Sequence, residues 1–166
     1  MGEAVAEEND RAALSWLLQA QRMSALAIID GLDAEALSSP VPLPSGWTPL
    51  GLIEHLGHAE RHWFQEVLLG AADPLPWPDE DTPLRTTRPP ATVFAFYRTQ
   101  CDRSDAILAA TPLSTAPRGR HPDPLGAEIT SLRDIVLHMI EETARHAGHL
   151  DVARELLDGT TGLGPR

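Results

Sequence analysis

The chain has a single cysteine, little positive charge and no long apolar run, and each shortage excludes something. Cys101 is the only cysteine, so no intrachain disulfide can form, which fits a reducing cytoplasmic setting. Lys and Arg total 13 against 24 Asp and Glu, a net charge of −11. That balance argues against nucleic acid, whose phosphates require a basic footprint, and against an anionic membrane surface. No apolar run approaches the ~20 residues needed to cross a bilayer. The opening Met1–Arg11 is acidic and lacks the apolar stretch of a signal peptide. Convincing period-two alternation is missing too, apart from a possible short strand near Leu125–Ile129. What remains is 166 residues, 42% hydrophobic and 22% charged, which reads as one globular domain over 1–166 able to bury its own core.

The apolar residues recur at helical spacing in four places. Leu14, Leu17, Leu18, Met23, Leu26 and Ile29 predict a first helix from about Glu8 to a stop at Gly31. The prolines between Ser38 and Gly46 exclude helix there. Thr48 followed by Pro49 is an N-cap with proline at the first helical position. It opens a second helix that runs to Leu69 on an apolar face of Leu52, Leu56, Ala59, Trp63 and Val67. Residues 70–90 hold six prolines and form a long connection with no period, in which Trp77 is expected to pack down on the protein. A third helix spans Ala91 to Ala110 and buries Val93, Phe94, Tyr97, Cys101, Ile107 and Leu108. After a second irregular stretch to Gly126, a fourth helix starts at Ser131, with Asp134 as capping partner, and stops at Gly159. The expected fold is all-α, an up-and-down four-helix bundle with two long irregular connections.

The seven histidines fall mainly on two of these helices. On the fourth, His138, Glu142, His146 and His149 lie within an arc of about 80° on one face. Glu142 and His146, four residues apart, can supply two ligands to one metal ion; a carboxylate with an imidazole suits Zn²⁺, Ni²⁺ or Fe²⁺. The second helix offers His55, His58 and His62 near one face, and spacing alone does not choose among them. The plainer reading of such residues is a set of solvated or hydrogen-bonded helix histidines.

Two segments carry a resemblance to a known family. One is Ser-Gly-Trp-Thr-Pro-Leu-Gly-Leu-Ile-Glu-His-Leu from Ser45 to Leu56; the other runs from Glu141 through Glu-Thr-Ala-Arg-His146-Ala-Gly-His to Gly162. With Asp10–Leu14 and Gln21–Arg22, these resemble an actinobacterial branch of the DinB-like superfamily over nearly the whole chain. The resemblance implies a four-helix bundle with a divalent metal at its centre. Many such proteins use three histidines; here the first position of the late pair is Glu142. The set His55, Glu142 and His146 therefore looks like the His-Glu-His site of the mycothiol-dependent maleylpyruvate isomerases, for which zinc fits best. It also implies a low-molecular-weight thiol partner, a small electrophilic substrate and pairing of copies into a homodimer. A thiol is mostly protonated near neutral pH, and coordination converts it to a nucleophilic thiolate.

The surrounding residues have two readings each. His149, His138 and His58 either support the ligands from behind or are polar or buried helix residues; His58 and His62 read as peripheral. Arg145 and Arg154 are expected to pair along the helix with Glu141 and Asp158, the rival being capture of an anionic substrate. Trp47 and Trp63 read as core or pocket wall, and Cys101 as a small buried hydrophobe. A non-catalytic bundle binding a partner or small ligand, or a biosynthetic enzyme on the same fold, stands as the alternative to a thiol-using transferase or isomerase.

Overall fold

The computed structural model describes residues 2–71 and 84–162; their regular structure is all helix, with no strand among them. The elements are α1 (Gly2–Ile28), α2 (Ala34–Ser38), α3 (Pro49–Arg61) continued by a π-helix (His62–Leu68), α4 (Pro90–Ala110), α5 (Leu125–Glu128) and α6 (Leu132–Asp158). Helix α1 packs along α6, α3 packs along α4, and α3 also touches α6. The possible strand at Leu125–Ile129 is instead the single helical turn α5. It follows Pro124, and the bonds Gly126 N–H to Pro122 O (3.0 Å) and Ala127 N–H to Pro124 O (3.1 Å) satisfy its backbone locally. Trp77 and Pro74, Pro76, Pro78 and Pro83 lie outside the described residues. No described helix is long and apolar enough to cross a membrane.

The helix ends form where the sequence places capping residues. Thr48 Oγ1 accepts from Gly51 N–H at 3.0 Å, with Pro49 starting α3. Ser131 caps α6, and the Asp134 carboxylate reaches back to accept from Ser131 Oγ (2.8 Å) and Thr130 N–H (3.1 Å). Gly159 ends α6 at φ 76°, where a side chain would be strained. Arg154, one turn inside the end of α6, pairs with Asp158 at 2.7 Å as expected. It also donates to Ile28 O (2.6 Å) and Asp30 O (2.7 Å), carbonyls that the end of α1 leaves over.

The core forms two adjoining clusters. One gathers Ile28, Trp47, Leu50, Ile53, Leu56, Tyr97 and Leu150. The other gathers Leu18, Trp63, Phe64, Leu68, Leu132, Ile135 and Met139. Each such side chain contributes about 1.5–3 kcal/mol by leaving water. In α1 the buried stripe differs from the expected one. Leu17 and Met23 are 38% and 62% exposed, whereas Arg22 is 2% exposed and occupies the core-facing position.

Arg22 is there because α3 and α4 supply its counter-charges. Its guanidinium grips both oxygens of Glu60 at 2.7 and 2.8 Å and reaches Asp105 on α4 at 2.6 Å. Burial alone would lower the Arg22 pKa, but attraction to Glu60 and the bonds to Glu60 and Asp105 raise it, so the guanidinium stays charged. Breaking such a buried pair from one side leaves an uncompensated charge. Glu60→Gln should therefore destabilise the fold by about 3–5 kcal/mol in chemical denaturation, and the double change Arg22→Met with Glu60→Leu should recover most of that loss. Equal stability of Glu60→Gln and the wild type would show that the pair does not hold the helices.

Candidate functional site

Helix α3 brings His55, and α6 brings Glu142 and His146, to one point of the seam between them. One ligand atom from each comes within 4.8 Å of the others. The hub is a single oxygen: Glu142 Oε1 lies 3.1 Å from His55 Nε2 and 2.9 Å from His146 Nε2. The two imidazoles meet edge-on, ring centres 4.9 Å apart at 75°. The Glu142 side chain is 12% exposed, and its other oxygen accepts from Arg145 Nη2 at 2.8 Å. Burial opposes ionisation of Glu142. The bonds from His146 and His55, the charge of His146 and that of Arg145 prevail and hold its carboxyl below the usual carboxylate range. Two imidazole nitrogens and one carboxylate oxygen converging on one point can hold a borderline divalent cation.

The Arg145 contact corrects one expectation. Glu141 was expected to pair with Arg145 at four-residue spacing; the structure pairs Arg145 with Glu142 instead, three residues away. Glu141 is exposed, while Glu142 sits partly buried at the seam, where a second counter-charge offsets more of its desolvation.

The remaining histidines separate clearly. His149, one turn beyond His146, sets its Nδ1 3.3 Å from His146 Nδ1, and Trp47 flanks it with ring centres 6.2 Å apart. Burial, then the charges of His146 and Arg145, lower its pKa. His58 turns to α4 and packs on Phe96, ring centres 4.9 Å apart. His138 packs on Trp63 at 4.6 Å, and burial lowers its pKa. His62 joins Glu66 and His121 rather than the converging set. Cys101 is a buried thiol on α4, pushed up to about 12 by burial and by the charge of Glu60, and so is no nucleophile near neutral pH.

Three members of this second cluster carry little signal in the sequence. Trp63 reads there as core or pocket wall, with nothing to tie it to His121. Glu66 follows His62 by four residues, a pairing signal that passes unnoticed beside the denser α6 motif. His121 stands alone in a Pro- and Gly-rich stretch, and only the path of the chain brings it to α3.

Compared with known families, the chain matches the mycothiol-S-transferases over residues 13–159, a span that includes all three converging residues. It belongs to the mycothiol-S-transferase family, within the DinB-like group that the two sequence segments resemble. A comparison with curated proteins gives no match.

The geometry separates the α3 histidines by experiment. His55→Ala and His146→Ala should each lose most of a bound divalent ion, read by elemental analysis of unchelated protein, whereas His58→Ala should keep it. Loss of the ion in His58→Ala with retention in His55→Ala would mean that a different face of α3 meets α6.

Proposed function

We propose that this protein is a metal-dependent transferase that joins a low-molecular-weight thiol of the mycothiol type to a small electrophile. In this reading zinc, with nickel or iron as the other fitting ions, is held by His55, Glu142 and His146. The observation that carries the reading is the convergence of two imidazole nitrogens and a carboxylate oxygen within 4.8 Å, in a chain of the mycothiol-S-transferase family. The long helices α1, α3, α4 and α6 serve as a four-helix bundle that presents the three groups at its seam. The exposed Trp16 and Met23 on α1 support pairing of two copies.

Bound there, the ion would lower the pKa of a coordinated thiol and present it as thiolate, three protein ligands leaving a position open for it. The protein residues do the rest by orientation. Arg145 takes up one oxygen of Glu142 and leaves the other aimed between the histidines. With Nε2 of His146 turned to that point, its Nδ1 carries the proton, and the nearby Nδ1 of His149 is placed to accept it. The imidazole of His146 is thus fixed in orientation and tautomer. Trp47 flanks His149, ring centres 6.2 Å apart.

Two outcomes follow. Turnover of mycothiol with a general electrophile should fall by about two orders of magnitude or more when the protein is chelated, and return on adding zinc. Equal rates with and without the ion would leave a non-catalytic helical protein as the better account. His149→Ala should weaken metal binding by about 10–100-fold in a competitive chelator titration while the fold stays intact. Unchanged affinity would remove His149 from the site.

A further inference from the structure

A second hydrogen-bonded cluster lies further along the same seam. His62 Nδ1 is 2.9 Å from Glu66 Oε2, and His62 Nε2 is 3.0 Å from His121 Nδ1. A carboxylate only accepts, so Nδ1 of His62 carries the proton toward Glu66, and the proton between the two imidazoles can sit on either ring. His121 stacks on Trp63, ring centres 4.7 Å apart and planes at 27°, and His138 of α6 covers another side of Trp63 at 4.6 Å. His62 lies two helical turns beyond His55, about 10 Å along the axis and on nearly the same face. His138 lies one turn before Glu142. The cluster and the metal ligands therefore line one seam.

The backbone around His121 is fitted to this placement. The π-helix His62–Leu68 leaves carbonyls at its end, and Arg118 N–H and Gly119 N–H bind those of Leu68 (3.0 Å) and Val67 (2.8 Å). A Cβ on Gly119 would stand 2.3 Å from Glu66 O, and one on Gly126 would stand 1.8 Å from His121 O. Gly119 thus lets the loop close against the π-helix, and Gly126 lets the loop fold back on His121. Among the described residues, charged groups near the line include Arg61, at 3.4 Å from Glu66 Oε1, the Arg120–Asp123 pair next to His121 in sequence, and Glu141, Glu142 and Arg145 beside His138 on α6.

We propose that His121, backed by His62 and Glu66, is the proton-transfer group for the reaction at this seam. The inference rests on the thiol-transfer reading above. In the first half, the S–H bond of the thiol breaks and its proton passes over bridging water along the seam to the His121–His62 pair, leaving the electron pair on sulfur. In the second half, sulfur forms a bond to carbon of the electrophile, the bond from that carbon to its leaving group breaks, and the stored proton passes to the leaving group. Thiol plus electrophile thus gives thioether plus protonated leaving group, and the histidines return to their starting state. Glu66 is a positioning residue: it fixes the His62 tautomer and stabilises the positive charge while the proton is held. A cluster that merely covered the end of the π-helix would need neither the ordered carboxylate–imidazole–imidazole line nor the fitted loop.

The test uses metal-loaded protein with mycothiol and a general electrophile. His121→Ala should lower kcat by about 10²–10⁴-fold with metal content unchanged, and added imidazole should restore part of the rate in proportion to its neutral fraction. Glu66→Gln should lower kcat with little change in KM. In ¹⁵N imidazole spectra, His62 should be Nδ1-protonated in the wild type and lose that preference in Glu66→Gln. A wild-type rate in His121→Ala, or a His62 without the Nδ1 proton, overturns the relay alone. A second bound ion that disappears in His121→Ala makes the two histidines a metal site and also overturns it. A wild type inactive with every thiol overturns the proposed function, and the relay with it.

Discussion

The buried ion pair between Arg22 and Glu60 is the constraint on which the site depends. A helix packed only by apolar side chains can rotate by a fraction of a turn at little cost, because one leucine replaces another at the interface. A charge 1% exposed has no such freedom: Glu60 must face Arg22 of α1, whose guanidinium Asp105 of α4 also holds, or lose its counter-charge. Glu60 follows His55 by five residues, about 140° around α3. Holding Glu60 toward α1 and α4 therefore turns His55 to α6. The ion pair contributes little net stability on its own; what it confers is one rotational setting of α3.

The site then follows from α6. Its N-terminus is fixed by the Ser131 and Asp134 caps, and its C-terminal half is tied to the end of α1 through Arg154. A helix held at both ends presents Glu142 and His146 one turn apart at a constant height. The shared oxygen of Glu142 is where the two settings meet, 3.1 Å from the imidazole of α3 and 2.9 Å from that of α6. Distances of this order across a helix interface require both elements to be correctly rotated and correctly translated.

Much of this was legible in the sequence, and the rest was hidden for physical reasons. The main helices were readable because their apolar residues repeat with the helical period and their ends carry Thr48, Ser131 and Gly159. The meeting of Glu142 and His146 was readable because four-residue spacing places them together whatever the rest of the chain does. Choosing His55 over His58 required the family resemblance, since helical spacing puts both near one face and only the packing of α3 separates them. By hydropathy Met23 reads as core and Arg22 does not, because hydropathy alone cannot show that two carboxylates on other helices await a guanidinium. The π-helical turn from His62 to Leu68 and the approach of His121 depend on loop closure at Gly119, which leaves no periodic trace.

The central claim is that His55, Glu142 and His146 form an open metal centre that receives a thiol. X-ray absorption at the zinc edge, on protein loaded with one equivalent of the ion and measured before and after adding mycothiol, addresses it most directly. Before the thiol, the shell should contain two imidazole nitrogens and carboxylate or water oxygen at about 2.0–2.2 Å. After it, a sulfur neighbour should appear at about 2.3 Å, and His146→Ala should show no such change. A shell that stays free of sulfur at saturating thiol, or that is already closed by four protein ligands, would contradict the account.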